Sequence, residues 1–225
     1  MAEIDAPKTK SDLPVRLASA IVMLVIAGGA LYLGGWVWLI FVGVVAATCV
    51  NELVRLIRKA FGRGLWQTIG ELSGVIYILA AALSLANLPI AVLLGVIGVV
   101  IATDVGAYFS GRTIGGPKIA PKISPSKTWA GLIGGATLAG VVSGSFFLYN
   151  LGEIRFSPML IIAFAIGAAL AVLAQCGDFF ESWLKRQAGV KDSSNLIPGH
   201  GGVFDRIDGM MPVAIAALPL WALHP

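Results

Sequence analysis

Seven stretches of this sequence stay apolar long enough to cross a lipid bilayer as helices, and that leaves few folds open. They lie near residues 15–33, 36–50, 68–86, 89–109, 129–150, 158–177 and 209–224, the second and last being short. Inside a bilayer every backbone N–H and C=O must be satisfied within the protein, so only helices and closed barrels span it. The runs are continuously apolar rather than alternating, which selects helices. Charged residues make up only 12% of the chain, about half the share of a soluble domain. The expected fold is all-α, a polytopic bundle of about seven spans forming one domain over residues 1–225. Gly131, Gly134, Gly135 and Gly140 suit close helix–helix approach within it.

The loops set the expected orientation. With seven spans, the N-terminus shares a side with residues 51–67, 110–128 and 178–208, and these segments hold 15 of the 16 basic residues, all but Arg155. The positive-inside rule puts that side in the cytoplasm and the C-terminus across the membrane. Residues 1–14 are then a cytoplasmic tail, and the first apolar run, lacking a small-residue cleavage site, is a retained span. The net charge of +4 reports topology and headgroup contact rather than nucleic acid. Cys49 and Cys176 lie in or beside apolar runs, without disulfide or metal spacing, and are expected to be buried, unpaired thiols.

Two of the basic segments are too particular to be plain connectors. The first begins in a span at Asp104 and runs through Arg112 and Lys118 to Lys122, Ser124, Ser126, Lys127 and Thr128. Asp104 sits about 15 residues into its helix, roughly 22 Å along it. A carboxylate there costs about 2.5–3.5 kcal/mol, so it should face a wet, protein-lined cavity; a bundle-holding pair with an Arg is the blander alternative. Lysines among glycines and hydroxyls make a setting for phosphate oxygens.

The second segment carries Asp178, Glu181, Ser182, Lys185, Arg186, Lys191, Asp192, Pro198-Gly199-His200-Gly201-Gly202, Asp205, Arg206 and Asp208. If the helix from 158 continues to about 188, Asp178, Glu181, Ser182 and Lys185 share one face. Asp205 and Asp208 should share a face at the start of the last helix. Carboxylates beside phosphate donors suit Mg²⁺, which takes one or two carboxylates and completes its shell with water and substrate phosphates. Zinc-type Cys and His clusters are absent from the sequence. This equipment fits phosphoryl or nucleotidyl transfer, where positioning and charge neutralisation supply most of the catalysis.

The pattern from Ser182-x-x-Lys185-Arg186 through Lys191-Asp192-x-Ser194, Ile197-Pro198-x-His200-Gly201-Gly202 and Asp205-Arg206-x-Asp208 resembles the signature of phosphatidate cytidylyltransferases, fixing about 14 positions across 27 residues. Ser124-Pro125-x-Lys127-Thr128-Trp129 and Asp104-x-Gly106-Ala107-Tyr108 resemble the same family in the same order, so the likeness covers about residues 98–210, the expected catalytic region. Ala130 stands where the family often has Glu, and the chain is shorter than many members. The resemblance implies attack of the phosphate of phosphatidic acid on the α-phosphorus of CTP, giving CDP-diacylglycerol and pyrophosphate at a bacterial inner membrane. It also implies Mg²⁺, with a second cation left open, held by Asp178 and Asp205, and a homodimer. Asp178, Asp205, Lys127, Lys185 and Arg206 are the expected catalytic residues. Asp104, Arg112, Lys118, Lys122, Ser124, Ser126, Thr128, Ser182, Arg186, Lys191, His200, Gly201, Gly202 and Asp208 are the expected substrate contacts.

Three rival readings fit less of the sequence. CDP-alcohol phosphotransferases carry Asp-x-x-Asp-Gly-x-x-Ala-Arg and Asp-x-x-x-Asp elements that this chain lacks. A CTP-dependent polyprenol or phytol kinase shares cofactor and setting. A secondary transporter would use Asp104 and Glu71, but the polar residues gather on one face and no inverted repeat is visible.

Overall fold

The computed structural model describes residues 13–151 and 158–223. The tail up to Asp12, Arg155 and His224 lie outside the described residues. Helices α1 (Leu13–Leu33), α2 (Gly35–Ala60), α3 (Leu65–Asn87) and α4 (Ile90–Thr113) come first. A hairpin of β1 (Lys118–Ala120) and β2 (Ser124–Thr128) leads into α5 (Trp129–Leu151) and α6 (Pro158–Gln187). The short turn α7 (Phe204–Ile207) and α8 (Met210–Ala222) follow.

Among the described residues six helices are long and apolar enough to cross a membrane, α1 to α6, and the fold is a polytopic helical membrane bundle. α8, the expected seventh span, has 13 residues, or about 20 Å of helix, short of a bilayer core of about 30 Å. α2 runs ten residues beyond the expected end at 50. Leu53, Leu56 and Ile57 continue its apolar face, and all three are buried.

The seams between α4, α5 and α6 are built on glycine. A Cβ at Gly106 would stand 2.6 Å from the carbonyl oxygen of Gly134, and one at Gly135 would stand 2.7 Å from that of Thr103. A Cβ at Gly167 would come within 2.6 Å of the carbonyl of Ala139. Without side chains in between, the backbones close to a distance where many weak contacts act together. Beside this seam, α2, α3, α6 and α8 enclose a cluster including Cys49, Leu53, Ile78, Leu184, Phe204 and Met211. Cys49 is buried as expected, whereas Cys176 is exposed on the outer face of α6. The C-terminal ends of α2, α4 and α6, the hairpin and the 188–203 loop all meet at one end of the bundle.

Candidate active site

The last three turns of α6 carry the chemistry. As expected, the helix runs on past its apolar part, and i, i+3 and i+4 spacing puts Asp178, Glu181, Ser182 and Lys185 on one face. Asp208 reaches the same place from the far side of the 188–203 loop. Ligand oxygens of Asp178, Glu181 and Asp208 all lie within 4.8 Å of one another. Glu181 Oε1 is buried and has no hydrogen-bond partner among the described residues, a costly condition for a carboxylate oxygen unless a ligand completes it.

Two lysines border this cluster. Lys127, from β2, lies 2.5 Å from Asp178 Oδ2 and 4.3 Å from the ring centre of Phe179. Lys185 donates to Glu181 Oε2 at 2.7 Å and to Asp205 Oδ1 at 2.8 Å. Asp104 on α4 is near enough to interact with the charges of Asp178 and Lys127. Ser182 Oγ donates to Asp178 Oδ1 at 3.2 Å.

Asp205 and Asp208 are three apart on one helical turn, as expected, but that turn is the separate α7 rather than the start of the last helix. Asp205 belongs to α7, and Asp208 ends that turn before α8 begins. Asp205 Oδ2 accepts the backbone N–H groups of Gly202 at 2.8 Å and Ser193 at 2.9 Å. Burial alone would raise this carboxyl, but hydrogen bonding with Glu181, Lys185 and the Gly202 and Ser193 amides holds it well below the usual carboxylate range. Asp208 goes the other way: burial and the charge of Asp178 push it up to about 6. The structure thus gathers Asp178, Glu181 and Asp208 at one point, and places Asp205 beside Glu181, with Lys185 bridging the two.

The Pro198–Gly202 loop bends back on itself, with the Ile197 N–H donating to the Gly201 carbonyl at 2.8 Å. Gly199 (φ +74°) and Gly201 (φ +82°) occupy the left-handed region that favours glycine. Beside the loop lies a polar cavity of about 560 Å³ whose lining includes Arg16, Lys191, Asp192, Asn195, His200 and Arg206, a size suited to a small ligand. Three cations, one carboxylate and glycine backbone line it, a net positive setting that can take an anion. Ser19 Oγ sits 2.8 Å from His200 Nδ1 and donates to the Pro198 carbonyl at 2.9 Å, bringing α1 over the loop.

Other expected residues fall elsewhere. Thr128 is 3% exposed, and its hydroxyl accepts the Gly131 N–H at the start of α5. Arg112 donates to the Tyr108 hydroxyl, and Lys118 to the Ser126 carbonyl, both at exposed positions. Lys122 and Ser126 are exposed and Ser124 is half-buried. Arg186 donates to the Ile123 carbonyl at 3.3 Å, tying the end of α6 to the hairpin. An apolar cavity of about 710 Å³ lined by Ile57, Tyr77, Phe180 and Trp183 also touches α6. Phe180 and Trp183 lie on the side of the helix turned away from Asp178 and Lys185, while Gly177, also in the cavity's lining, packs against the Asp208 backbone. The glutamate at position 52, the hydroxyls of Ser19 and Ser193, and the part Arg16 plays in the cavity were not legible beforehand. In the sequence Glu52 follows an apolar run taken to end at 50; the apolar repeat at Leu53, Leu56 and Ile57 was the signal that the helix carries on.

Carboxylates and lysines at one end of a lipid-embedded bundle, next to a cationic cavity, define a membrane protein equipped for phosphate chemistry. Residues 65–223 match the Cytidylyltransferase family. The chain is 40% identical over 207 residues to the phosphatidate cytidylyltransferase of Brucella suis, covering 82% of this chain and 70% of that protein. It is 35% identical over 222 residues to the protein of the same name from Pseudomonas aeruginosa, covering 92% and 78%. With the protein of that name from Haemophilus influenzae it shares 46% identity over 125 residues, covering 54% and 41%. This chain belongs to the cytidylyltransferase family, and is a nucleotidyltransferase.

Proposed function

We propose that this chain transfers the cytidylyl group of CTP to phosphatidic acid, giving CDP-diacylglycerol and pyrophosphate for phospholipid synthesis. Family membership and the relatives' shared name support the reaction, and one observation supports its place: three carboxylates and two lysines converge beside a cationic, glycine-lined cavity. In the reaction a phosphate oxygen of the lipid attacks the α-phosphorus of CTP. The bond from that phosphorus to the bridging oxygen breaks, and pyrophosphate leaves.

The protein's task is to hold two anions together. Arg16, Lys191, His200 and Arg206 line a cavity where phosphate oxygens can be bound. Lys127 and Lys185 bring positive charge to the carboxylate end, where charge develops on the leaving oxygens; such preorganised groups are worth about 10²–10³ in rate each. Asp178, Glu181 and Asp208 fit a divalent cation, since their oxygens converge and one is a buried orphan. Mg²⁺ held there would neutralise phosphate charge. In this reading Asp205, expected as a metal ligand, sits one step back and orients Lys185 and the loop.

The reading also places the carboxylate end of the bundle in the cytoplasm of a bacterial inner membrane, on the strength of the basic asymmetry. The homodimer implied by the resemblance belongs to the same reading, and light scattering of the detergent-solubilised protein tests it. Purified protein given radiolabelled CTP and phosphatidic acid should form a lipid-extractable cytidine product with Mg²⁺ and none in excess EDTA. Labelling of a free lipid alcohol instead would point to a CTP-dependent kinase.

A further inference from the structure

The loop that carries the signature is fastened to the bundle by a carboxylate outside it. Glu52, on α2, is 2% exposed, and its partners lie more than 140 residues away in sequence. Its Oε1 accepts from Ser194 Oγ at 2.5 Å and from the Val203 N–H at 3.2 Å. Its Oε2 accepts from Ser193 Oγ at 3.1 Å and from the Phe204 N–H at 2.8 Å. Each oxygen therefore meets one hydroxyl and one backbone amide. A Cβ at Gly202 would fall against Ser193 Oγ and stand 2.6–2.7 Å from the Glu52 oxygens, so the carboxylate takes up the space that the missing side chain leaves.

The connection continues into the site. Ser193 also donates its backbone N–H to Asp205 Oδ2 at 2.9 Å, and its hydroxyl, 3.0 Å from the same oxygen, shares its one proton between Asp205 and Glu52. Asp205 in turn holds Lys185, which holds Glu181. We propose that Glu52 is a positioning residue for cytidylyl transfer. It touches no substrate; it holds residues 193–204 so that Lys185 stands at the carboxylate cluster and His200 and Arg206 face the cationic cavity. The proposal rests on the reading given under Proposed function.

The pattern of acceptors makes the role specific to a carboxylate. In Glu52→Gln, whichever way the amide turns, its NH₂ faces the amide N–H of Val203 or of Phe204, and that buried donor loses its acceptor. The test is a comparison of wild type, Glu52→Gln, Glu52→Asp and Ser194→Ala in detergent. kcat and the KM for CTP are measured at saturating phosphatidic acid, alongside the thermal midpoint. Glu52→Gln should raise the KM for CTP at least about ten-fold and lower kcat, with Glu52→Asp recovering part of the loss. Ser194→Ala, which removes one hydroxyl donor and leaves the backbone contacts, should raise KM about three-fold, and it carries the test if Glu52→Gln does not fold. Glu52→Gln with kcat and KM both within about two-fold of wild type would overturn the proposal. So would a fall in kcat that only tracks the unfolded fraction at unchanged KM, or an unchanged KM in Ser194→Ala. An inactive wild type would refute the cytidylyltransferase reading instead, a result distinct from any of these.

Discussion

Replacing Lys185 by Met separates charge from packing at the centre of the site. The Lys185 side chain is 14% exposed and those of Glu181 and Asp205 are 2% and 3% exposed, so its two ion pairs lie almost out of solvent. Met keeps most of the apolar stem and removes the ammonium, leaving two buried carboxylates facing each other. Removing one partner of a buried ion pair costs about 3–5 kcal/mol. The two pairs share a single ammonium and do not add, and uptake of a proton by one carboxylate caps the loss. For a chain of this size about 2–4 °C of melting temperature follows each kcal/mol, so the midpoint in detergent should fall on the order of 10 °C. Formation of lipid-extractable cytidine from labelled CTP should fall at least about 100-fold, as charge-stabilising groups typically require. Lys185→Arg should recover part of the midpoint, although its planar fork cannot reproduce both contacts. Lys185→Met with Glu181→Gln should regain part of the midpoint, because one orphaned charge is gone, and none of the turnover. If Lys185→Met melts within about 2 °C of wild type and turns over within about three-fold, the buried triad is not what holds this end together.

Asp178→Asn and Asp208→Asn should raise the Mg²⁺ concentration for half-maximal activity about ten-fold or more, whereas Asp205→Asn should lower kcat with little change in it; a metal titration of the three variants decides. Gly106→Val should cut the yield of folded protein sharply, since overpacking costs about 1–3 kcal/mol even where the neighbour can give and here the neighbour is the Gly134 backbone; a detergent melting curve and gel-filtration profile check it. Because the Asp205 carboxyl is lowered on folding, the stability it contributes is fully present above the ordinary aspartate value and is lost only as pH falls below it. The melting-temperature advantage of wild type over Asp205→Asn should therefore shrink as pH is lowered from about 5 to about 3. A topology reporter fused near Arg63 should read as cytoplasmic; one fused after Leu223 will show whether the short α8 crosses the membrane.

Much of this architecture can be read from periodicity. The apolar runs mark the six long helices, and the spacing of Asp178, Glu181 and Lys185 by itself puts them on one face. What periodicity could not supply is the pairing of distant carbonyls, amides and carboxylates. Asp205 and Asp208 read as one helix face, but the sequence does not show that Lys185 and the Ser193 and Gly202 amides gather on Asp205 alone. Thr128 sits among residues suited to phosphate binding, but the hairpin turns it inward to begin α5. Glu52 looks like part of a loop because α2 runs on past its most apolar stretch. A single carboxylate has no spacing partner to betray it; only the fold shows that four donors converge on it.

The length of α6 bears on how two unlike substrates meet. Its 30 residues make a rod of about 45 Å, against a hydrocarbon core of about 30 Å. About 15 Å, or ten residues, is surplus, and counted back from Gln187 those ten begin at Asp178. With α6 upright and its first turn at the far edge of the hydrocarbon, the reactive face would stand at the depth of the lipid headgroups. A lipid phosphate can reach it without leaving its leaflet, its acyl chains still in oil, while a nucleotide arriving from water never has to enter the hydrocarbon. The helix serves as a ruler, and what it measures is the one plane where both reactants are already soluble.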